Sequence, residues 1–245
     1  ALDGKGEKGK WVIYAADGGY QVGAFDGKTF TPDGAKQRFH YGNCFYASQT
    51  YSDIPVVDGR RIQVAWGRIA TPGMPFNQCM LFPCVLTLHT TEDGIRMFAE
   101  PVKEIETLHK TGHAWQNVTL SAEQNILSGL SGDLFHIRAT FDVGQAEQVG
   151  FVIRGVDVVY DVAKGELSCH GKTAPLKAAG GQLALEILVD RTSIEIFGNR
   201  GQVYMPIGVI PADENRSLEV FGKGPAPRLV SMEVHELDSA WNSDQ

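Results

Sequence analysis

Nothing in this 245-residue sequence approaches the roughly 20 consecutive apolar residues that a membrane-spanning helix needs, so no membrane partner is expected. The opening residues, "ALDGKGEKGK", lack the apolar core of a secretory signal. Positive charge is scarce as well. Against 29 Asp and Glu stand 22 Lys and Arg, a formal net charge of -7 with no basic stripe, which argues against a nucleic-acid partner. The four cysteines are Cys44, Cys79, Cys84 and Cys169. Cys79 and Cys84 are separated by "MLFP", not by the two-residue gap of a zinc knuckle or redox pair, so buried free thiols on strands are expected. The seven histidines form no close pair on one face. His109 and His113 come nearest; they flank Gly112 and read as exposed hinge residues. No metal and no cofactor are expected.

Sustained helical periodicity is missing too. What the chain has instead is 43% apolar residues, enough for a real core, in short Val-, Ile-, Tyr-, Phe- and Thr-rich segments separated by Gly, Asp, Asn and Pro. "WVIYAA", "YQVGAF", "TFTP", "CFYASQTY", "RIQVAWG", "LFPCVLTLHT" and "IRMFAE" read as strands joined by Asp-Gly turns, which accept positive φ at low cost. "EPVKEIETL" (100–108) reads as a short helix or turn opened by Pro101, and "HKTGHAWQN" as a polar hinge that divides residues 1–108 from 109–245. The second part alternates with period 2. In "HIRATFD", His136, Arg138 and Thr140 face one side, and Ile137, Ala139 and Phe141 the other. Such alternation over many antiparallel segments predicts a two-sheet β-sandwich, whereas the seven short strands of the first part suit propeller blades with open edges and missing neighbours. The fold class is all-β.

Four segments, in order, carry a resemblance: "YGNCFYASQTYSD", "GRRIQVAWG", "MPFNQCMLFPCVLTL" and "LEILVDRTSIEIFGNRGQVYMP". Together they resemble glycoside hydrolase family 32, the levanases, invertases and inulinases. The resemblance implies a five-bladed β-propeller with an axial active site, followed by a β-sandwich. This chain then corresponds to the last propeller strands and the sandwich, with the N-terminal half of the propeller missing. The family's three acidic motifs, Asn-Asp-Pro-Asn, Arg-Asp-Pro and Glu-Cys, do not occur. A retaining glycosidase needs a nucleophilic carboxylate and an acid/base carboxylate about 5 Å apart, so no catalytic residue is assigned and the chain alone is expected to be inactive. Asp53, Asp58, Glu92 and Asp93 read as turn residues, and Asp190, Arg191 and Glu195 as a hairpin turn with a surface ion pair.

What the chain offers a furanose is an aromatic surface and a few polar groups. By the resemblance, Tyr46 either lines the pocket near the acid/base or packs between blades, and Trp66 either walls the pocket or plugs the core. Strict alternation would turn Tyr46, Ser48 and Thr50 one way and Phe45, Ala47 and Gln49 the other, making Gln49 an inter-blade partner more than a sugar contact. The loop "GRIATPGMPFNQ" (67–78) is longer than a hairpin requires, and Arg68 and Asn77 are its polar candidates. Fructan or sucrose is the implied substrate, and the family implies a secreted or periplasmic location. Two rival roles stay open. One is a carbohydrate-binding module, with Trp115, Tyr160 and Trp241 as scattered platform candidates; the other is a structural buttress for the propeller. "NVT" (117–119) and "NRS" (215–217) match the glycosylation sequon, a pattern common by chance.

Overall fold

The computed structural model describes residues 2–4, 9–121 and 124–240; Trp241 lies outside the described residues. The described chain is all-β in four antiparallel sheets, none of them closed. The first sheet holds β1 (Trp11–Tyr14), β2 (Gly19–Phe25), β3 (Phe30–Pro32) and β4 (Gln37–Arg38), with β2 pairing all the others. The second holds β5 (Phe45–Thr50), β6 (Ile62–Gly67), β7 (Cys79–Met80), β8 (Cys84–Thr91) and β9 (Gly94–Pro101). These two sheets share one core, in which Phe39 touches Tyr14, Tyr20 and Phe45 edge-on and the Tyr14 hydroxyl donates to the buried Gln63 at 3.1 Å.

A 3-10 helix (Lys103–Leu108) leads into the other half. Pro101 ends β9, paired with Cys84, and does not open the helix. The polar hinge expected next is in fact a strand, β10 (His109–Thr119), held along almost its whole length by β20 (Arg228–Leu237). Its polarity reflects an edge position with one solvated face, which looks like a linker in sequence. Between them run β11 (Phe135–Asp142), β12 (Gln148–Ile153), β13 (Val156–Asp161), β14 (Glu166–Cys169), β15 (Lys172–Pro175), β16 (Gln182–Val189), β17 (Ser193–Gly198), β18 (Val203–Gly208) and β19 (Leu218–Lys223). They form a six-stranded sheet, β10-β20-β11-β16-β17-β18, and a five-stranded one, β15-β14-β13-β12-β19. One core draws on both, including Phe141 and Phe151 at 5.7 Å between ring centres. In β11, Ile137, Ala139 and Phe141 are buried while Arg138 and Thr140 are only partly covered, as the alternation predicts. His136 breaks that order, being buried with its Nε2 2.8 Å from Glu186.

The β17–β18 hairpin joins the two halves. All six residues of β17 are buried, as are the first five of β18. Ile194, Ile196, Val203, Met205 and Ile207 enter the core of the second half, while Phe197 and Tyr204, stacked at 4.9 Å, enter that of the first. Residues 40–43 run along the outer edge of β18. The Tyr41 and Asn43 amides donate to Tyr204 O and Pro206 O at 2.9 and 3.1 Å, and Asn43 exchanges side-chain hydrogen bonds with Gly208 at 2.7 and 3.1 Å. An edge that would otherwise expose unpaired backbone groups is thus covered from the other half. Gly42 makes this approach possible, since a Cβ there would lie 1.8 Å from Pro206 O.

Candidate sugar-contacting face

The opening residues of β5 do not keep strict alternation. Tyr46 pairs with Trp66 and Gln49 with Val64, so three steps on β5 oppose two on β6. The extra residue is a bulge at Ala47, with φ of 45°, whose amide leaves the ladder to donate to Ala16 O at 2.8 Å. Tyr46 and Gln49 therefore share the face of Val64 and Trp66, and Gln49 is exposed. Strict alternation had put Gln49 on the opposite face to Tyr46; no glycine advertises the bulge, and the bond to the first sheet creates it.

On this face the Tyr46 and Trp66 rings meet edge-on at 6.0 Å, and the Arg68 guanidinium lies 4.6 Å over the Tyr46 ring. Arg68 is placed by its own amide, which donates to Cys44 O at 2.8 Å. Trp66 is 39% exposed, and Met80, opposite it on β7, is 60% exposed. The other face of β6 carries buried Gln63 and Ala65, so Trp66 belongs to the open side and does not plug the core. Met80, Trp66, Tyr46 and Arg68 form an apolar strip ending in a cation, with the exposed Gln49 beside it.

The 67–78 loop is closed by Thr71, which is buried. The Thr71 hydroxyl accepts from the Gln78 amide at 3.1 Å and donates to Phe76 O at 3.0 Å, and the Thr71 amide donates to Asn77 Oδ1 at 3.2 Å. The Asn77 carbonyl is thus spent on the loop, and Asn77 itself is exposed. Met74 and Phe76 are exposed on the same loop. Asp58 holds Arg60 at 2.6 Å, and Arg60 reaches Glu104 of the 3-10 helix at 2.7 Å, which keeps both carboxyls below the usual range; Asp58 thus acts as a turn anchor.

Two sequence expectations are corrected by the geometry. Glu195 is not at the surface: it is fully buried, accepts from the Phe82 amide at 3.0 Å and the Tyr204 hydroxyl at 2.6 Å, and is pushed up to about 7 by desolvation. Arg191 pairs with Asp133 at 3.0 Å instead. A signal for this existed, because "SIEIF" faces "VYMPI", a segment apolar on both sides, which leaves Glu195 no wet face. His109 and His113 are residues of β10, not of a hinge. The His109 ring stacks on His235 at 3.9 Å and its Nε2 lies 3.0 Å from His136 Nδ1. Pairing of β20 with both β10 and β11 builds this contact from residues far apart in sequence. Among the described residues no group of three or more His, Cys, Asp or Glu is arranged to hold a metal ion. All four cysteines are free; Cys44, Cys84 and Cys169 are buried, and burial raises the Cys44 and Cys169 thiols to about 12.

Comparison with known proteins covers the chain from both ends. The model of the glycosyl hydrolases family 32 N-terminal domain matches residues 11–101, and that of the glycosyl hydrolases family 32 C terminal matches residues 104–236. The levanase of Bacillus subtilis is 32% identical over 99% of this chain and 42% of its own length. The extracellular exo-inulinase of Aspergillus ficuum is 25% identical over 98% of this chain and 54% of its own. The crystal structure of exo-inulinase from Aspergillus awamori superposes with a TM-score of 0.82 at 20% identity, over 98% of this chain and 56% of that one. A fructofuranosidase from Schwanniomyces occidentalis complexed with fructose gives 0.79 at 19% identity, over 97% and 58%. The chain therefore spans roughly half or less of the length of these curated relatives.

Proposed function

The chain belongs to glycoside hydrolase family 32, and from that premise we propose that it is the C-terminal part of a retaining β-fructosidase acting on terminal fructosyl bonds of levan, inulin or sucrose. In this reading residues 1–108 are the last strands of a five-bladed propeller and residues 109–245 a β-sandwich. The observation that carries it is the Tyr46–Trp66–Arg68 face, an exposed Trp and a half-buried Tyr ending in a guanidinium, on a sheet that aligns with the family's N-terminal domain. Aromatic edges suit the apolar face of a furanose, and a guanidinium suits its hydroxyls. Exposed Trp11, Ile13 and Phe25 on the first sheet supply a surface on which an earlier blade would pack.

The 245 residues alone lack the nucleophile and acid/base motifs, so they bind or support but do not cleave. Incubating the chain with sucrose and levan should release no fructose above the uncatalysed rate; an enzyme-like rate would overturn this assignment. The second half serves as a buttress in this proposal. The observation favouring it is the β17–β18 hairpin, buried on both faces and shared between two cores. Trp115 is only partly exposed and packs on the second core, and Tyr160 is buried within it, which leaves neither as an open binding platform.

A further inference from the structure

A cleft of about 770 Å³ opens between the first sheet, the β8–β9 hairpin and the 175–177 and 202–203 segments of the second half. It shares no residue with the Tyr46–Trp66 face. Its volume lies within the roughly 300–1,000 Å³ range of small-molecule sites. Its accessible apolar wall comes from Tyr41, Ile95 and Pro175, backed by the buried Val22, Phe39 and Leu176, and the charges are unevenly spent. Asp33 is held by Lys10 at 2.7 Å and Lys36 by Asp17 at 3.1 Å. Arg38, Arg96 and Lys177 also line the cleft and form no ion pair among the described residues, while Asp93 is the one remaining carboxylate in the lining. Three cations against one anion leave an excess of two positive charges, in a protein whose formal net charge is -7.

Arg38 is also held in place. Its Nε donates to His40 O at 2.8 Å, and its guanidinium lies 4.5 Å over the Tyr41 ring. Among the described residues neither terminal nitrogen has a hydrogen-bond partner, so the guanidinium offers a two-pronged donor of the kind that grips an oxyanion. Arg96 arrives from β9 with only a long, 3.4 Å contact to Ile95 O. We propose that this cleft binds a small organic oxyanion, a phosphate ester or carboxylate carried on a body of one or two sugar rings. The anion lies against Arg38 and Arg96, and the less polar ring faces lie on the apolar wall.

The test is calorimetric titration of the 245-residue chain with glucose 6-phosphate, glucuronate, inorganic phosphate and glucose. Saturable binding of glucose 6-phosphate or glucuronate is expected, and the two arms separate phosphate from carboxylate. Binding should weaken about tenfold between low and high salt and at least tenfold in Arg38→Gln and in Arg96→Gln. Glucose should bind at least tenfold more weakly than the better anionic probe. Arg38→Lys, which keeps the charge but loses the fork, should also lose affinity while melting as the parent does. An independent readout is protection of Arg38 and Arg96 from phenylglyoxal by the better-binding probe, followed by peptide mass. Failure of both sugar anions to bind, equal binding of glucose, or undiminished binding in both Arg38→Gln and Arg96→Gln would each overturn the proposal.

Discussion

Glu195 offers the sharpest test of how the two halves are joined. Its carboxyl is fully buried at their junction, with Phe82 N and the Tyr204 hydroxyl as partners, and sits at about 7 against an ordinary 4.5. The unfolded chain loses this proton near 4.5, whereas the folded chain keeps it until about 7. Between those values the folded state binds more protons, so its stability falls as pH rises and levels off above the folded value. A shift of that size corresponds to about 3 kcal/mol. Glu195→Gln preserves the shape and removes the titration. Its amide oxygen can still accept from Phe82, and the Tyr204 hydroxyl can turn to accept from the amide nitrogen. Urea unfolding should therefore find Glu195→Gln within about 1 kcal/mol of the parent near pH 4.5, with the variant gaining about 3 kcal/mol relative to it by pH 8. The difference between the two proteins isolates this group from all other titrations. A difference that stays flat from pH 4.5 to 8 would refute the reasoning.

Other consequences are simpler. Gly201 has φ of 82°, and a Cβ there would lie 1.9 Å from Ala99 O, so Gly201→Ala should cost more than about 2 kcal/mol in urea unfolding and loosen β9 from the β17–β18 turn. In a complete enzyme that includes this chain, Trp66→Ala should lower kcat/KM for sucrose by about tenfold or more while moving the melting temperature little, because Trp66 is 39% exposed. A loss of stability without a loss of activity would place Trp66 outside the sugar-contacting surface. Ala47→Gly should leave stability unchanged or raise it by up to about 1 kcal/mol, since the bulge already demands positive φ; thermal melting would show the sign.

Much of the all-β character was legible because period-2 alternation and Asp-Gly turns are local signals. β11 shows this, with Ile137, Ala139 and Phe141 on its buried side as its sequence implies. What escaped was set by distant partners. The bulge at Ala47 depends on a hydrogen bond to Ala16 O, the burial of Glu195 on Phe82 and Tyr204, and the strand character of residues 109–119 on β20. Of the candidate site, the pairing of Tyr46 with Trp66 follows from adjacent strands joined by a loop. The placement of Arg68 over Tyr46 does not, because it requires the Cys44 carbonyl to anchor the chain just after β6.

The hairpin of β17 and β18 also bears on how such a protein can be recombined. A segment that completes two cores at once is not a detachable cassette: transplanted under a different neighbour, it would carry Phe197, Tyr204 and a protonatable Glu195 against a surface not shaped for them. The boundary convenient for cutting the gene, near residue 108, is therefore not the boundary of mutual dependence. That second frontier runs through the middle of the second half, along the strand whose edge residues 40–43 cover.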